Sequence, residues 1–298
     1  MTIASLAIDW GSTNRRVFAL DSAGAVVETE RDALGVLAMA GRDFAGEVAM
    51  LRARFGDVPV LIAGMAGSNR GWTDAGYVPV TAVAPASLAG LAAALCWVEP
   101  GRTAIIPGVS RQGGRCDVMR GEEVQFLGAC AAGLVPADSL LCQPGTHAKW
   151  AVMKGGAITD FTTAVVGEVF AMLGKGGLLA DGLDLPVQDG PAFRDGVLRG
   201  REGDLLSALF GARAALVLGE RERTDQASYV SGLLIGADAA QRVAPGARVH
   251  VLADPALGAL YLTALDVLGA SGVLVDSHSA FMAGINAIRA DITLGAAA

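Results

Sequence analysis

Ser5-Leu6-Ala7-Ile8-Asp9-Trp10-Gly11-Ser12-Thr13-Asn14-Arg15-Arg16-Val17-Phe18-Ala19-Leu20 is an apolar run that ends in a carboxylate, turns through small polar residues and returns as a second apolar run. The pattern reads as strand, tight turn, strand. Gly11 permits backbone angles and a close approach that a side chain would block. Ser12, Thr13 and Asn14 offer backbone N–H, hydroxyl and amide donors to an anion, as phosphate-cradling turns do. Asp9, at the strand end, is placed to hold a hydrated Mg²⁺ beside that anion. Read without a ligand, the same stretch is a hairpin with an Asp that fixes its turn.

Asp21-Ser22-Ala23-Gly24 turns the chain into a third antiparallel strand, Ala25 to Glu30. The same order recurs later. Leu140-Leu141-Cys142-Gln143 is a strand, Pro144-Gly145-Thr146-His147 a Gly-hydroxyl turn, and Ala148 to Met153 a returning strand. Lys154-Gly155-Gly156 then turns into Ala157 to Phe161. Pro136-Ala137-Asp138 reads as the junction, dividing residues 1–136 from 137–298. The repeat is one of architecture rather than of sequence. Two phosphate-type turns, one per half, imply a polyphosphate ligand.

Between these landmarks the first half reads as an α/β layered domain. Asp43 to Phe55 predicts a helix with Phe44, Val48 and Leu51 on one face, and Val58 to Ala63 a central strand covered on both faces. That strand runs into Gly64-Met65-Ala66-Gly67-Ser68-Asn69-Arg70-Gly71-Trp72, where α/β sheets bind ligands. Ser68 and Asn69 suit hydroxyl groups and Trp72 a carbon skeleton; a Gly-rich connector whose Trp caps the core is the plainer reading. Ala104 to Gly108 ends another strand, and Arg111 to Arg115 is a polar loop. Val118-Met119-Arg120-Gly121-Glu122-Glu123 leads into a helix with Val124, Leu127, Gly128 and Ala131 on its stripe. Acids in a first turn are favoured by the helix dipole alone, although Arg120 and Glu122 at its mouth also suit an anionic substrate and a base. In the second half, helices are expected over 166–173, 189–198, 205–210 and 226–243. Arg248 to Ala253 and Val273 to Val275 read as strands. Asp254 and Pro255 open a helix as N-cap and first-turn proline, with Leu257, Leu260, Ala264 and Leu268 as its stripe. Phe281, Ile285 and Ile288 line a last helix.

At 298 residues the chain is long for one core and comfortable for two domains. Apolar residues make up 52% and charged ones 18%, so a large buried core is expected. A net charge of -7 argues against a nucleic-acid partner, which needs a basic face. The four cysteines form no C-x-x-C pair and there are three histidines, so a zinc site is not expected and reduced thiols in a cytoplasm are. The first residues show no basic stretch followed by an apolar signal core. Ala75 to Val98 carries no charge, but Pro79 and Pro85 interrupt it, and it reads as buried loop plus helix rather than a membrane span. G-x-x-x-x-G-K-[ST], G-x-G-x-x-G and G-x-S-x-G are all absent.

These motifs together resemble the sugar-kinase, actin and Hsp70 superfamily and, within it, the 2-keto-3-deoxygalactonokinase (2-dehydro-3-deoxygalactonokinase) family. The resemblance rests on Ile8 to Asn14, Ala63-Gly64-Met65 with Gly67-Ser68-Asn69 and Gly71-Trp72, Val118 to Glu123, Pro144 to His147 with Lys149-Trp150, Ser231 to Ala237, and Ala280-Phe281 with Ala283-Gly284-Ile285. It implies an α/β fold of two RNase H-like (actin-like ATPase) domains with a nucleotide cleft between them. It implies ATP and Mg²⁺ as cofactors and phosphoryl transfer to the terminal hydroxyl of 2-keto-3-deoxygalactonate, the product going on to an aldolase. Under it, Asp9 holds the metal; Gly11, Ser12, Thr13 and Asn14 face the phosphates from one side and Gly145, Thr146 and His147 from the other. Ser68, Asn69 and Trp72 line the sugar-acid pocket, Arg16 or Arg120 meets its carboxylate, and Asp254 and Ser277 lie on the adenosine side. Glu122 or Glu123 serves as base, by similarity to the Gly-x-Glu-Glu helix start of exopolyphosphatases. Asp254-Pro255 stands where the family commonly has Gly-Thr, which bears on nucleotide choice. A polyphosphate or nucleotide phosphohydrolase, a nucleotide-switched binding protein and a kinase of the gluconate epimer are the rival readings. No membrane partner is expected, and the apolar composition is compatible with a homodimer.

Overall fold

A computed structural model describes residues 2–81 and 83–292. By contacts the chain divides into two compact units. The first comprises residues 1–138, 153–161 and 278–298; the second comprises 139–152 and 162–277.

In the first unit the opening hairpin forms as its alternation predicts. β1 (Ser5–Trp10) pairs antiparallel with β2 (Arg15–Leu20), and β2 with β3 (Val26–Asp32). α1 (Phe44–Phe55) follows, started by Asp43, whose carboxylate accepts the Ala45 N–H. β4 (Val60–Gly64) lies parallel to β1 and is buried along its whole length, as a run of Val, Leu, Ile and Ala requires. Then come β5 (Tyr77–Pro79), α2 (Leu88–Ala93), β6 (Cys96–Glu99), β7 (Thr103–Ile105), β8 (Gly108–Arg111), β9 (Asp117–Met119) and α3 (Glu122–Ala131). The main sheet has the order β3-β2-β1-β4-β7-β6, and β5-β8-β9 form a small second sheet. Its core joins Leu6, Ile8, Trp10, Val48, Leu51 and Ile62 between sheet and α1.

The second half of the chain repeats the plan with β10 (Ser139–Gln143), β11 (Ala148–Lys154), β12 (Ala157–Ala164), α4 (Val166–Gly174), α5 (Pro191–Arg201), α6 (Leu205–Val217), α7 (Arg223–Ala239), β13 (Arg248–Leu252), α8 (Pro255–Val267) and β14 (Ser271–Val275). α9 (Ser277–Ala290) closes the described chain. The sheet order β12-β11-β10-β13-β14 matches β3-β2-β1-β4-β7 strand for strand. In each sheet the first-born strand sits at the centre, flanked by its hairpin partner on one side and a parallel strand on the other. This is the α/β actin-like ATPase fold that the resemblance implies.

Several local expectations are corrected. The uncharged stretch 75–98 is not a buried loop: Val83 is 95% exposed, and strands β5 and β6 flank the short helix. An absence of charge over Ala, Gly and Thr is not the same as burial. The stripe of α8 holds at Leu260, Ala264 and Leu268, which pack on the core, but Gly258, Tyr261 and Leu265 join the buried face while Leu257 stays 37% exposed. Asp254 occupies the N-cap position of α8, but its side chain makes no capping bond. α6 continues seven residues past Phe210, through Gly211. No helix among the described residues is long and apolar enough to cross a membrane.

Candidate active site

In the first unit, register alone assembles a row of charge. Asp9 pairs with Arg16 and Arg16 with Arg31 across β1, β2 and β3, so the three side chains share one face of the sheet. The Arg16 guanidinium lies 3.8 Å from the Asp9 carboxylate. Arg31 approaches His278 Nε2 at 3.5 Å. Phe18, on the same face two residues along, meets the rings of His278 and Phe281 at 6.1 and 5.6 Å, which seats α9 over the row.

α3 covers the same face. Gly128 and Gly284 let α3 and α9 touch backbone to backbone: a Cβ on either would run into the Ala280 or Val124 carbonyl. The start of α3 is pressed against the end of the central strands. Gly121 has φ 106° and Gly64 φ 94°, conformations that side chains oppose. A Cβ at Gly121 would stand 3.2 Å from Gly64 Cα, and one at Gly64 2.7 Å from the Trp10 carbonyl. The first residue of α3, Glu122, is thereby delivered beside Asp9. Burial pushes the Asp9 carboxyl up to about 6, with the Glu122 charge adding to the effect and Arg16 opposing it.

The two adjacent glutamates have different surroundings. Glu123 is fully buried, and both its oxygens take the Gly121 N–H, at 2.8 and 2.7 Å. Burial, with Glu122 beside it, raises its carboxyl to about 8. It caps its own helix. Glu122 is half-buried and accepts the Arg120 N–H at 3.2 Å.

The Gly11–Asn14 turn is held from behind. Val36, Leu37 and Gly35 N–H groups donate to the carbonyls of Gly11, Ser12 and Thr13, and Trp10 Nε1 donates to Leu34 at 2.7 Å. Ser12, Thr13 and Asn14 are exposed. Gly11 does not adopt a left-handed conformation; what crowds a side chain there is the Asn14 carbonyl, 3.2 Å from where a Cβ would sit.

The residues expected around the sugar acid are mostly engaged in the fold. Ser68 Oγ donates to the Met65 carbonyl at 2.7 Å and accepts the Arg70 N–H. Trp72 stacks on Phe44 at 6.2 Å and packs on the core. Arg120 is not at the mouth of the α3 helix: its side chain is 4% exposed. It lies 4.3 Å over the Tyr77 ring and donates to the Gly76 carbonyl at 3.0 Å. Its Nε and Nη1 are buried without a partner. Asn69 is exposed, and Arg16 keeps 26% of its side chain in solvent.

In the second unit, the Gly145-Thr146-His147 turn rests on the start of α4. The Glu168 N–H donates to the Thr146 carbonyl at 2.9 Å, and His147 Nε2 meets Glu168 Oε2 at 2.7 Å. Beside the turn opens a cavity of about 450 Å³ lined by Gly145, Gly167, Phe170, Asp189, Ser231 and Tyr261 among others. Asp189 there accepts the Thr263 hydroxyl at 2.6 Å. Asp254 and Ser277 are not among its lining residues, although the α8 wall begins at Ala256.

The sequence does not single out Arg31 or His278, whereas Gly145 and the 231–235 stretch of the cavity wall belong to motifs that it does show. Counting register outward from Asp9 finds Arg31, because one-to-one pairing across two hairpins puts it opposite Arg16. Nothing local marks His278, which arrives from 247 residues away.

The family model described as 2-keto-3-deoxy-galactonokinase matches residues 9–288. The chain is 36% identical to the Escherichia coli (strain K12) 2-dehydro-3-deoxygalactonokinase, covering 97% of this chain and 98% of that protein. It is 35% identical to the Rhizobium meliloti (strain 1021) protein assigned as 2-dehydro-3-deoxygalactonokinase DgoK1, over 94% and 95% of the two. A crystal structure of a Sinorhizobium meliloti protein assigned the same activity superposes with TM-score 0.86 at 32% identity, over 95% and 97% of the chains. The Clostridium difficile activator of 2-hydroxyisocaproyl-CoA dehydratase, with TM-score 0.51 and 11% identity over 96% and 95% of the chains, shares the fold alone. The chain belongs to the 2-keto-3-deoxy-galactonokinase family.

Proposed function

We propose that this protein transfers the γ-phosphoryl group of ATP to the terminal hydroxyl of 2-dehydro-3-deoxygalactonate. The observation that carries the proposal is the meeting of Asp9, Arg16 and Glu122 at the ends of β1 and β4, within a chain of this family. Phosphoryl transfer asks a protein mainly for positioning and charge stabilisation, with a base for the attacking hydroxyl.

Glu122 is the base in this reading. It starts its helix beside Asp9 and is not consumed by the helix cap, a task that Glu123 performs. Arg16 is the partner of the sugar-acid carboxylate, since Arg120 is turned under the Gly76 carbonyl and the Tyr77 ring. Asn69 and the neighbouring 64–72 segment border the sugar acid. The exposed Ser12, Thr13 and Asn14 donate to ATP phosphates, as do Gly145 and Thr146, with His147 held in place by Glu168. The cavity beside Gly145 takes the nucleoside, with Asp189 and Ser231 as its polar groups and Asp254 and Ser277 farther out.

Asp9 fits a Mg²⁺ ion. Among the described residues no cluster of three or more metal-ligating side chains exists. Mg²⁺ needs none, because it binds through one or two carboxylates, water and the substrate phosphates. Asp9 supplies one carboxylate that is 23% exposed. When bound, the ion neutralises charge on the transferring phosphates.

A coupled assay of ADP release, run with and without the sugar acid, tests the proposal. ADP formation that requires 2-dehydro-3-deoxygalactonate is expected. ATP turnover indifferent to the sugar acid would assign the site to hydrolysis instead.

A further inference from the structure

We propose that this protein is a two-fold symmetric homodimer whose interface is the outer face of α6. The helix is apolar around most of its circumference. Ala208, Leu209 and Ala212 face inward on the cluster formed with α7. The opposite face is left bare: Leu206 is 83% exposed, Phe210 66%, Val217 66% and Leu218 74%. Positions 206, 210 and 217 recur at helical spacing and form one stripe. Leu178, 71% exposed, sits in a loop that Asp181 ties to this helix through Arg213 at 3.4 Å. These five side chains leave about 700 Å² of mainly apolar surface in water, above the few hundred Å² usual for a monomer and close to the ~800 Å² each partner gives to a standard interface.

The surroundings are those of an interface. Arg213 is the lone charged residue between Leu205 and Gly219, and Asp181 already pairs with it. Arg223 joins Asp181 and Asp184 at 2.9 and 2.6 Å, so an apolar centre is edged by ion pairs.

A second copy is the occupant that the face fits. Phe210 and Gly211 lie at the middle of the helix, and a Cβ on Gly211 would meet nothing within 4 Å. With two α6 helices antiparallel about an axis at that point, each Phe210 lies over the partner's Gly211, and the Leu206 end of one helix faces the far half of the other. An isologous contact needs one self-complementary patch. A head-to-tail contact needs a second apolar patch of like size; the other groupings are pairs, Val165 with Met172 on α4 and Val26 with Val27 on β3, and Met50, Val83 and Val118 lie singly on separate elements.

Light scattering coupled to size exclusion, at micromolar protein, reads the outcome against a chain mass of 30.2 kDa. The unmodified protein is expected at twice that mass. Phe210→Glu with Leu206→Glu is expected at the single mass, with its melting curve and sugar-acid-dependent turnover kept to within about two-fold. Gly211→Cys, in a Cys116→Ser background, is expected to form an intermolecular disulfide under mild oxidation. An unmodified protein of single-chain mass, or a dimer that survives the double substitution, overturns the proposal. So does a Gly211→Cys protein that does not cross-link. None of these outcomes touches the assignment of the reaction, which is read by activity alone.

Discussion

Glu123→Gln separates the two neighbouring acids most sharply. In the folded protein Glu123 holds its proton up to about pH 8, against 4.5 for an ordinary glutamate. Between those values the folded state carries a proton that the unfolded state has released. Stability therefore falls as pH rises, by about 1.4 kcal/mol per pH unit for one proton. The contribution is full below pH 4.5 and lost by pH 8. Glutamine does not titrate, yet its carbonyl still accepts the Gly121 N–H. Measured by urea unfolding at pH 5, 6, 7 and 8, the variant should gain on the parent steadily, by about 3–5 kcal/mol over the series. Its turnover should stay within a few-fold of the parent. Glu122→Gln should do the reverse: little change in stability, and a loss of turnover on the order of 10²–10⁴ as expected for a general base. A stability difference that stays flat from pH 5 to 8 would refute the buried, protonated state of Glu123. Loss of turnover in Glu123→Gln alone would move the base to that residue.

Four further outcomes follow from the same geometry. Asp9→Asn should lower turnover by roughly 10²–10³-fold while ATP affinity, measured by calorimetry, changes no more than a few-fold; full activity would remove Asp9 from the site. Arg16→Lys should raise the KM for the sugar acid by about ten-fold, one planar charge-assisted pair, and leave the KM for ATP alone. Arg120→Lys should instead lower the melting temperature, because it loses the stack on Tyr77 and the bond to Gly76; a sugar-acid KM effect confined to Arg120→Lys would reverse the two roles. Gly128→Ala drives a methyl into the Ala280 carbonyl and should destabilise by about 1–3 kcal/mol, read as a drop of several degrees in Tm, and an unchanged Tm would contradict the close α3–α9 contact.

Much of the fold was legible because each opening hairpin signals itself twice, in alternation and in its turn residues. Asp9, Gly11–Asn14 and Gly145–His147 could be placed on strand ends from that alone. The short strands β5, β6, β8 and β9 could not, since three or four residues carry no period to read. In α8 the leucine spacing places Ala264 and Leu268 in the core but does not record the inward turn of Tyr261 or the close approach of Leu274 to Gly258. α6 was cut short at Gly211, a residue that open space on its outer side makes tolerable. In the site, the Glu122-Glu123 pair was visible as a pair, but which acid is buried depends on how closely Gly121 abuts Gly64. Ser68 and Trp72 also hold the turn and the core, through the Ser68 bond to Met65 and the Trp72 contact with Phe44. Small polar and aromatic residues after a central strand serve a turn and a core as readily as a substrate.

The central claim is that the strand-end site of the first unit places phosphate on the last hydroxyl of a six-carbon sugar acid. Phosphorus NMR of the product made from ATP and 2-dehydro-3-deoxygalactonate tests it most directly. A new phosphomonoester signal coupled to the terminal methylene protons is expected, absent when Glu122→Gln replaces the parent. Inorganic phosphate as the sole product, formed equally without the sugar acid, would contradict it.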